Sequence, residues 1–231
     1  MVISFLPPIS HINWAPCWRL VPSRFPPAGL FDRVADPEDL DIVFAIEALT
    51  NDRLRDGTGE ISLVPPGERI SGPGTTPIMA AFTHLNPEGS RFTDGTYGVY
   101  YAANTIDTAI AETRFHRALF LSATKEPPIE IDMRSYASDL NTGLHDIRKL
   151  HTHMPEIYTP DPNRYIHAQS MARDLRNTGS NGIVYDSVRF PGGECAAIFR
   201  PRLLSPVQQG SHYCYVWNGQ EITHIYKKSP V

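Results

Sequence analysis

Residues Ser90 to Phe120 read SRFTDGTYGVYYAANTIDTAIAETRFHRALF, a loop, a strand and a helix in succession. Asp94-Gly95 marks the loop, and Gly98-Val99-Tyr100-Tyr101-Ala102 is short, aromatic and bounded by small residues, as strands are. A helix is predicted to begin near Asn104 or Thr105, both good N-caps, with Asp107 in the first turn where an acid suits the helix dipole. Counted at 100° per residue from Ile106, the residues Asp107, Arg114 and Arg117 fall between roughly 20° and 100°, a solvated face. Glu112 falls at roughly 240°, between Leu119 and His116 and near Ala109, the face expected to pack inward. A carboxylate there must be paired, hydrogen-bonded or in use, because burying it alone is costly. The plainer alternative is a partly exposed Glu at the edge of the apolar stripe.

Outward from this stretch, 231 residues with 41% hydrophobic and 20% charged content predict one globular domain, residues 1–231, with about 1–80 as an N-terminal extension packed on it. Lys and Arg number 21 against 25 Asp and Glu, so no general basic field favours nucleic acid. Three scattered cysteines, Cys17, Cys195 and Cys214, predict reduced thiols and a cytoplasmic setting. The N-terminal MVISFLPPISHINW has no basic start and is broken by Pro7 and Pro8, unlike a signal peptide, and no apolar run is long enough to span a membrane.

In chain order, residues 1–16 read as an extended arm and Cys17 to Val21 as a strand. Asp36-Pro37-Glu38-Asp39 opens a helix running to about Leu54, and residues 56–77 form a Gly/Pro-rich connection. Ile78 to Thr83 is a short strand or helix. Ile129 to Met133 alternates like a half-buried strand, whereas residues 136–160 show no clear long element. Asn163 to Asn177 reads as a helix with Tyr165, Ile166, Ala168 or Gln169, Ala172 and Leu175 inward. Strands follow at Gly182 to Val188 and Cys195 to Phe199, and Asn218-Gly219 predicts a hairpin between Tyr213–Trp217 and Glu221–Tyr226. The sum is α+β: a mixed, largely antiparallel sheet with flanking helices.

The common chemistries lack their signatures. His145, His151, His153 and His167 stand outside any HExxH or CxxC spacing, so no metal is expected. Cys195 has no neighbouring base and opens an apolar strand, which favours a buried structural thiol. No GxxxxGK[ST] or strand–GxGxxG–helix unit is present. What remains is Arg91, Tyr97, Tyr100, Tyr101 and Glu112, with Ser187 and Arg189 downstream. Arginines and a hydroxyl suit a diphosphate, tyrosines suit a flat heteroaromatic ring, and an inward carboxylate suits positive charge developing on a sugar carbon.

Spaced as they are, these residues resemble the RES domain family, named for an Arg, a Glu and a Ser. The matching pieces are Trp18-Arg19-Leu20-Val21, Gly89-Ser90-Arg91-Phe92, Gly98 to Ala103, Thr108-Ala109-Ile110-Ala111-Glu112-Thr113 and Gly182 to Arg189. The resemblance implies a fold similar to ADP-ribosyltransferases and cleavage of the nicotinamide–ribose bond of NAD+ without a metal. It assigns the family's Arg to Arg91, its Glu to Glu112 and its Ser to Ser187, and its strand Tyr to Tyr101 or, one register away, Tyr100. Arg19 is implied as a further dinucleotide contact. Glu112 would stabilise the cation, Arg91 and Ser187 would hold the diphosphate or ribose, and Tyr101 would stack on nicotinamide. RES proteins are toxins of toxin–antitoxin pairs, so an Xre-type antitoxin partner is implied, and the ADP-ribose acceptor is water, phosphate or a protein target. The hairpin aromatics Tyr213, Tyr215 and Trp217 serve either such a partner or strand packing. A catalytically inactive RES-like module that binds NAD+ or a protein is the alternative from another class.

Overall fold

A computed structural model describes residues 6–23 and 59–229 of the chain. The helix expected over 36–54 lies outside the described residues. Those described form an α+β fold with a seven-stranded, mostly antiparallel sheet and three α-helices. In chain order they are β1 (Ile9–Pro22), α1 (Thr76–Thr83), β2 (Tyr100–Ala103), α2 (Ile106–Ala123), β3 (Ile129–Asp146), α3 (Ile166–Asn177), β4 (Gly182–Asp186), β5 (Glu194–Ile198), β6 (Gln208–Trp217) and β7 (Ile222–Lys228).

The sheet runs β1-β2-β5-β4-β3-β6-β7, and β1 also pairs with β3, so five strands close on themselves while the β6–β7 hairpin extends one side. Among the described strands only the β3–β4 pair is parallel. The expected arm and first strand are one element, paired with β3 from Ile9 opposite His145 to Pro22 opposite Met133.

Strand alternation divides the core into two layers. One layer holds Leu20, Phe92, Met133, Ile183, Tyr215 and Trp217 beneath α2 and α3; the other holds Ile12, Tyr100, Leu140, Leu144 and Ile198 with Ile78, Met79 and Phe82 of α1. The central stretch forms as its sequence dictates. Thr105 caps α2 by accepting the Thr108 N–H at 3.2 Å.

Two expectations need correction. Residues 136–146 continue β3, whose polar positions hid the strand because they face inward and are satisfied there. Ser135 Oγ donates to Ser211 O at 3.0 Å and Ser138 Oγ to Ser205 O at 2.6 Å. In α3 the inward residues are Ala168, Met171, Ala172 and Leu175; Ile166, expected inward, is 70% exposed because the helix begins there, after a 3-10 turn over Pro162–Arg164. The hairpin expected at Asn218-Gly219 forms, and Asn218 Oδ1 accepts the N–H groups of Gln220 and Glu221 at 2.8 Å each. Its Tyr215 and Trp217 are buried, so neither offers surface to a partner.

Candidate active site

Arg91 opens the loop that turns at Asp94-Gly95, and it is buried. Its Nη1 donates to Ile157 O at 2.7 Å and its Nη2 to Tyr165 Oη at 3.2 Å, while the guanidinium lies 4.4 Å from the Tyr165 ring centroid. Gln169 of α3 donates to Ser90 O at 3.0 Å, tying the same loop to the helix. All these acceptors are neutral, so among the described residues the Arg91 charge is fixed in place but not cancelled.

Tyr101 braces the loop from the strand side. Its hydroxyl accepts the Phe92 N–H at 2.9 Å and shares a 2.7 Å hydrogen bond with Ser90 Oγ. Burial pushes the Tyr101 phenol up to about 12, against the hydrogen bonds from Ser90 and Phe92 that lower it, so the group stays a neutral hydroxyl. Tyr101→Phe is expected to leave the Phe92 N–H without its acceptor, costing roughly 1–3 kcal/mol of stability. Thermal unfolding that matches the wild type would contradict that bracing role.

Glu112 lies two turns into α2, half-buried on the face that meets β4 and β5. Ser187 Oγ donates to Glu112 Oε1 at 2.6 Å and accepts the N–H groups of Arg189 at 3.1 Å and Phe190 at 3.0 Å. Two backbone donors on the oxygen leave its single proton aimed at the carboxylate. Close packing of the turn on α2 makes this reach possible: a Cβ on Gly193 would lie 2.4 Å from Thr108 Oγ1. Glu112 Oε2 has no hydrogen bond among the described residues and is the oxygen free to meet a ligand.

The charges of Arg91 and Glu112 both act on Tyr185 and Cys195, so loop, helix and the β4–β5 pair meet at one place. Burial first, then Glu112, pushes the Cys195 thiol well up, and its Sγ lies 3.9 Å from Glu112 Oε1. It is an inert wall of the site rather than a nucleophile. His116, one turn beyond Glu112, keeps part of its ring in solvent, yet lost solvation and then Arg189, Arg91 and Arg117 push its pKa down to about 4. Solvent contact screens those charges, so the direction matters more than the size: the imidazole is neutral near pH 7.

The sequence-predicted residues Arg91, Tyr101, Glu112 and Ser187 are therefore brought together. Arg19 is not among them. It lies over the Tyr100 ring, 4.6 Å from its centroid, in the α1 layer, and reaches the site only through the Tyr101 carbonyl at 3.1 Å. Tyr165 was legible as an inward helix position, but not as the ring beneath Arg91. The Ile157 carbonyl carried no signal at all, since any residue supplies one. Of the histidines considered as ligands, His145 bonds Ser180 Oγ at 2.8 Å and His151 bonds Asp186 Oδ2 at 2.8 Å.

A chain of the crystal structure of the M. tuberculosis MbcT–MbcA toxin–antitoxin complex is similar over 91% of this chain and 87% of its own, at 11% identity and a TM-score of 0.45. An uncharacterized protein, y4oC, of Sinorhizobium fredii is 32% identical over 211 residues, 90% of this chain and 86% of that protein. The RES domain family matches residues 67–218, which span Arg91, Tyr101, Glu112 and Ser187, and the chain belongs to the RES domain family.

Proposed function

We propose that the chain is an NAD+-cleaving enzyme and the toxin of a toxin–antitoxin pair, with an Xre-type antitoxin as its partner. The observation that carries the enzymatic reading is the Ser187–Glu112 contact at 2.6 Å beside a buried Arg91 that has no carboxylate partner among the described residues. The toxin reading rests on membership of the family.

In the reaction proposed, the bond between nicotinamide N1 and ribose C1′ breaks and its electron pair leaves with nicotinamide. The leaving group departs from an already cationic ring, so no proton need be supplied to it, and positive charge develops on the ribose. Glu112 stabilises that charge and offers Oε2 to a ribose hydroxyl, while Ser187 fixes the carboxylate through Oε1. Arg91 takes the diphosphate, for which its fork of donors is suited. With water as acceptor the products are ADP-ribose, nicotinamide and one proton; phosphate or a protein side chain takes the same place. Tyr101, whose hydroxyl is committed to the loop, shapes the nicotinamide side with its ring.

Incubation of the purified protein with NAD+ is expected to release nicotinamide. Absence of release, alone and with cell extract, would overturn the reading. Label from NAD+ on a protein band assigns a protein acceptor, whereas free ADP-ribose or its phosphate assigns a small one.

A further inference from the structure

Beyond the Glu112 cleft lies an open groove of about 700 Å³ between α2, the Arg189-Phe190 turn and β7. Its walls include Ile110, Ala111 and Phe115 of α2, Phe190 of the turn, and Ile222 and Ile225 of β7. Arg114 holds it open from one side by donating to Ile222 O at 2.7 Å. The volume suits a nucleoside-sized ligand, and aliphatic walls with two phenyl rings suit the faces of a purine.

Arg189 forms the seam between groove and cleft. Its guanidinium lies 3.3 Å from the Phe115 ring centroid, one Nη donates to Pro160 O, and its buried Nε finds no acceptor among the described residues. It has no ion pair with a carboxylate among the described residues. One short segment fastens both arginines, Arg91 through Ile157 O and Tyr165 Oη and Arg189 through Pro160 O. Two fixed guanidinium groups, whose partners among the described residues are all neutral, thus flank the Ser187–Glu112 pair, and an orphaned buried N–H is costly unless a ligand meets it.

We propose that Arg189 clasps the diphosphate opposite Arg91 and that the groove beyond it holds the adenosine half of the dinucleotide. This rests on the NAD+ reading and extends it to a subsite. Nicotinamide and its ribose lie at Glu112, the diphosphate crosses the Arg189–Phe115 stack, and the purine lies against Phe190 and Ile225.

Calorimetric titration with ADP-ribose, and with nicotinamide riboside, which carries neither phosphate nor adenosine, tests this. Arg189→Gln and the groove-filling Ala111→Phe are each expected to weaken ADP-ribose binding by about 10-fold or more while leaving nicotinamide riboside unchanged. Phe190→Ala, at an exposed position tolerant of truncation, is expected to weaken ADP-ribose alone by a smaller factor. Unchanged ADP-ribose affinity in Arg189→Gln and Ala111→Phe overturns the assignment. Equal weakening of both ligands also overturns it, because the residues would then act only by holding the fold. Failure of the wild type to bind either ligand removes the NAD+ reading itself, and the subsite with it.

Discussion

Glu112→Gln is expected to lower the rate of nicotinamide release by about 10²–10³-fold, the scale of a lost group that stabilises transition-state charge. The substitution keeps the volume of the side chain and an oxygen able to accept the Ser187 hydroxyl, now at 2.6 Å from Oε1. What it removes is the negative charge facing the ribose. The loss should fall on kcat more than on NAD+ affinity, since the cation exists only as the bond breaks. Folding should be spared, because a half-buried carboxylate contributes little that a half-buried amide does not. Steady-state kinetics beside thermal unfolding check both halves. Full activity in a folded Glu112→Gln protein would remove Glu112 from the chemistry, leaving Arg91 and Ser187 as a binding site only.

Phe92→Ala is expected to cost about 3–5 kcal/mol of stability, as truncation of a buried aromatic does. Phe92 is 0% exposed, and its ring meets Tyr185 edge-on with centroids 4.9 Å apart. In a chain of 231 residues that cost corresponds to a fall in Tm of roughly 6–20 °C. Its backbone keeps the loop's anchors, because the Phe92 N–H reaches Tyr101 and its carbonyl accepts the Tyr97 hydroxyl at 2.9 Å. The side chain therefore supports the core, and the neighbouring Arg91 should lose precision when the cavity opens, raising KM for NAD+. A Tm within about 2 °C of the wild type would show that the site collapses without cost and that Phe92 is not its floor.

Together the two substitutions separate chemistry from support. The first removes a charge from an intact scaffold. The second removes scaffold and leaves every charged group in the chain.

Much of this arrangement was legible because it is local. Thr105 was a candidate cap from its type and place, and Glu112 stood out because helical period alone placed an acid among inward positions. The β6–β7 hairpin followed from Asn218-Gly219. The course of β3 beyond Met133 was hidden for a physical reason: its inward serines find acceptors at Ser205 and Ser211, on chain some 67 and 76 residues away, so burial there does not require apolar side chains. The inward set of α3 was misjudged at Ile166 because a 3-10 turn moved the helix start and with it the phase of the face.

Residue type and short-range periodicity carry the α+β class and the face of α2 on which Glu112 lies, and the resemblance to the RES family singles out Arg91, Glu112 and Ser187. Only the tertiary structure decided which of those residues meet. It put Tyr101 beside Arg91 but Arg19 in the opposite layer, aimed the Ser187 proton at Glu112, and set Arg189 across Phe115 toward an open groove. Such pairings depend on how the β4–β5 turn packs on a helix about 75 residues earlier in the chain, and on carbonyls that every residue possesses. Spacing along the chain carries no record of either.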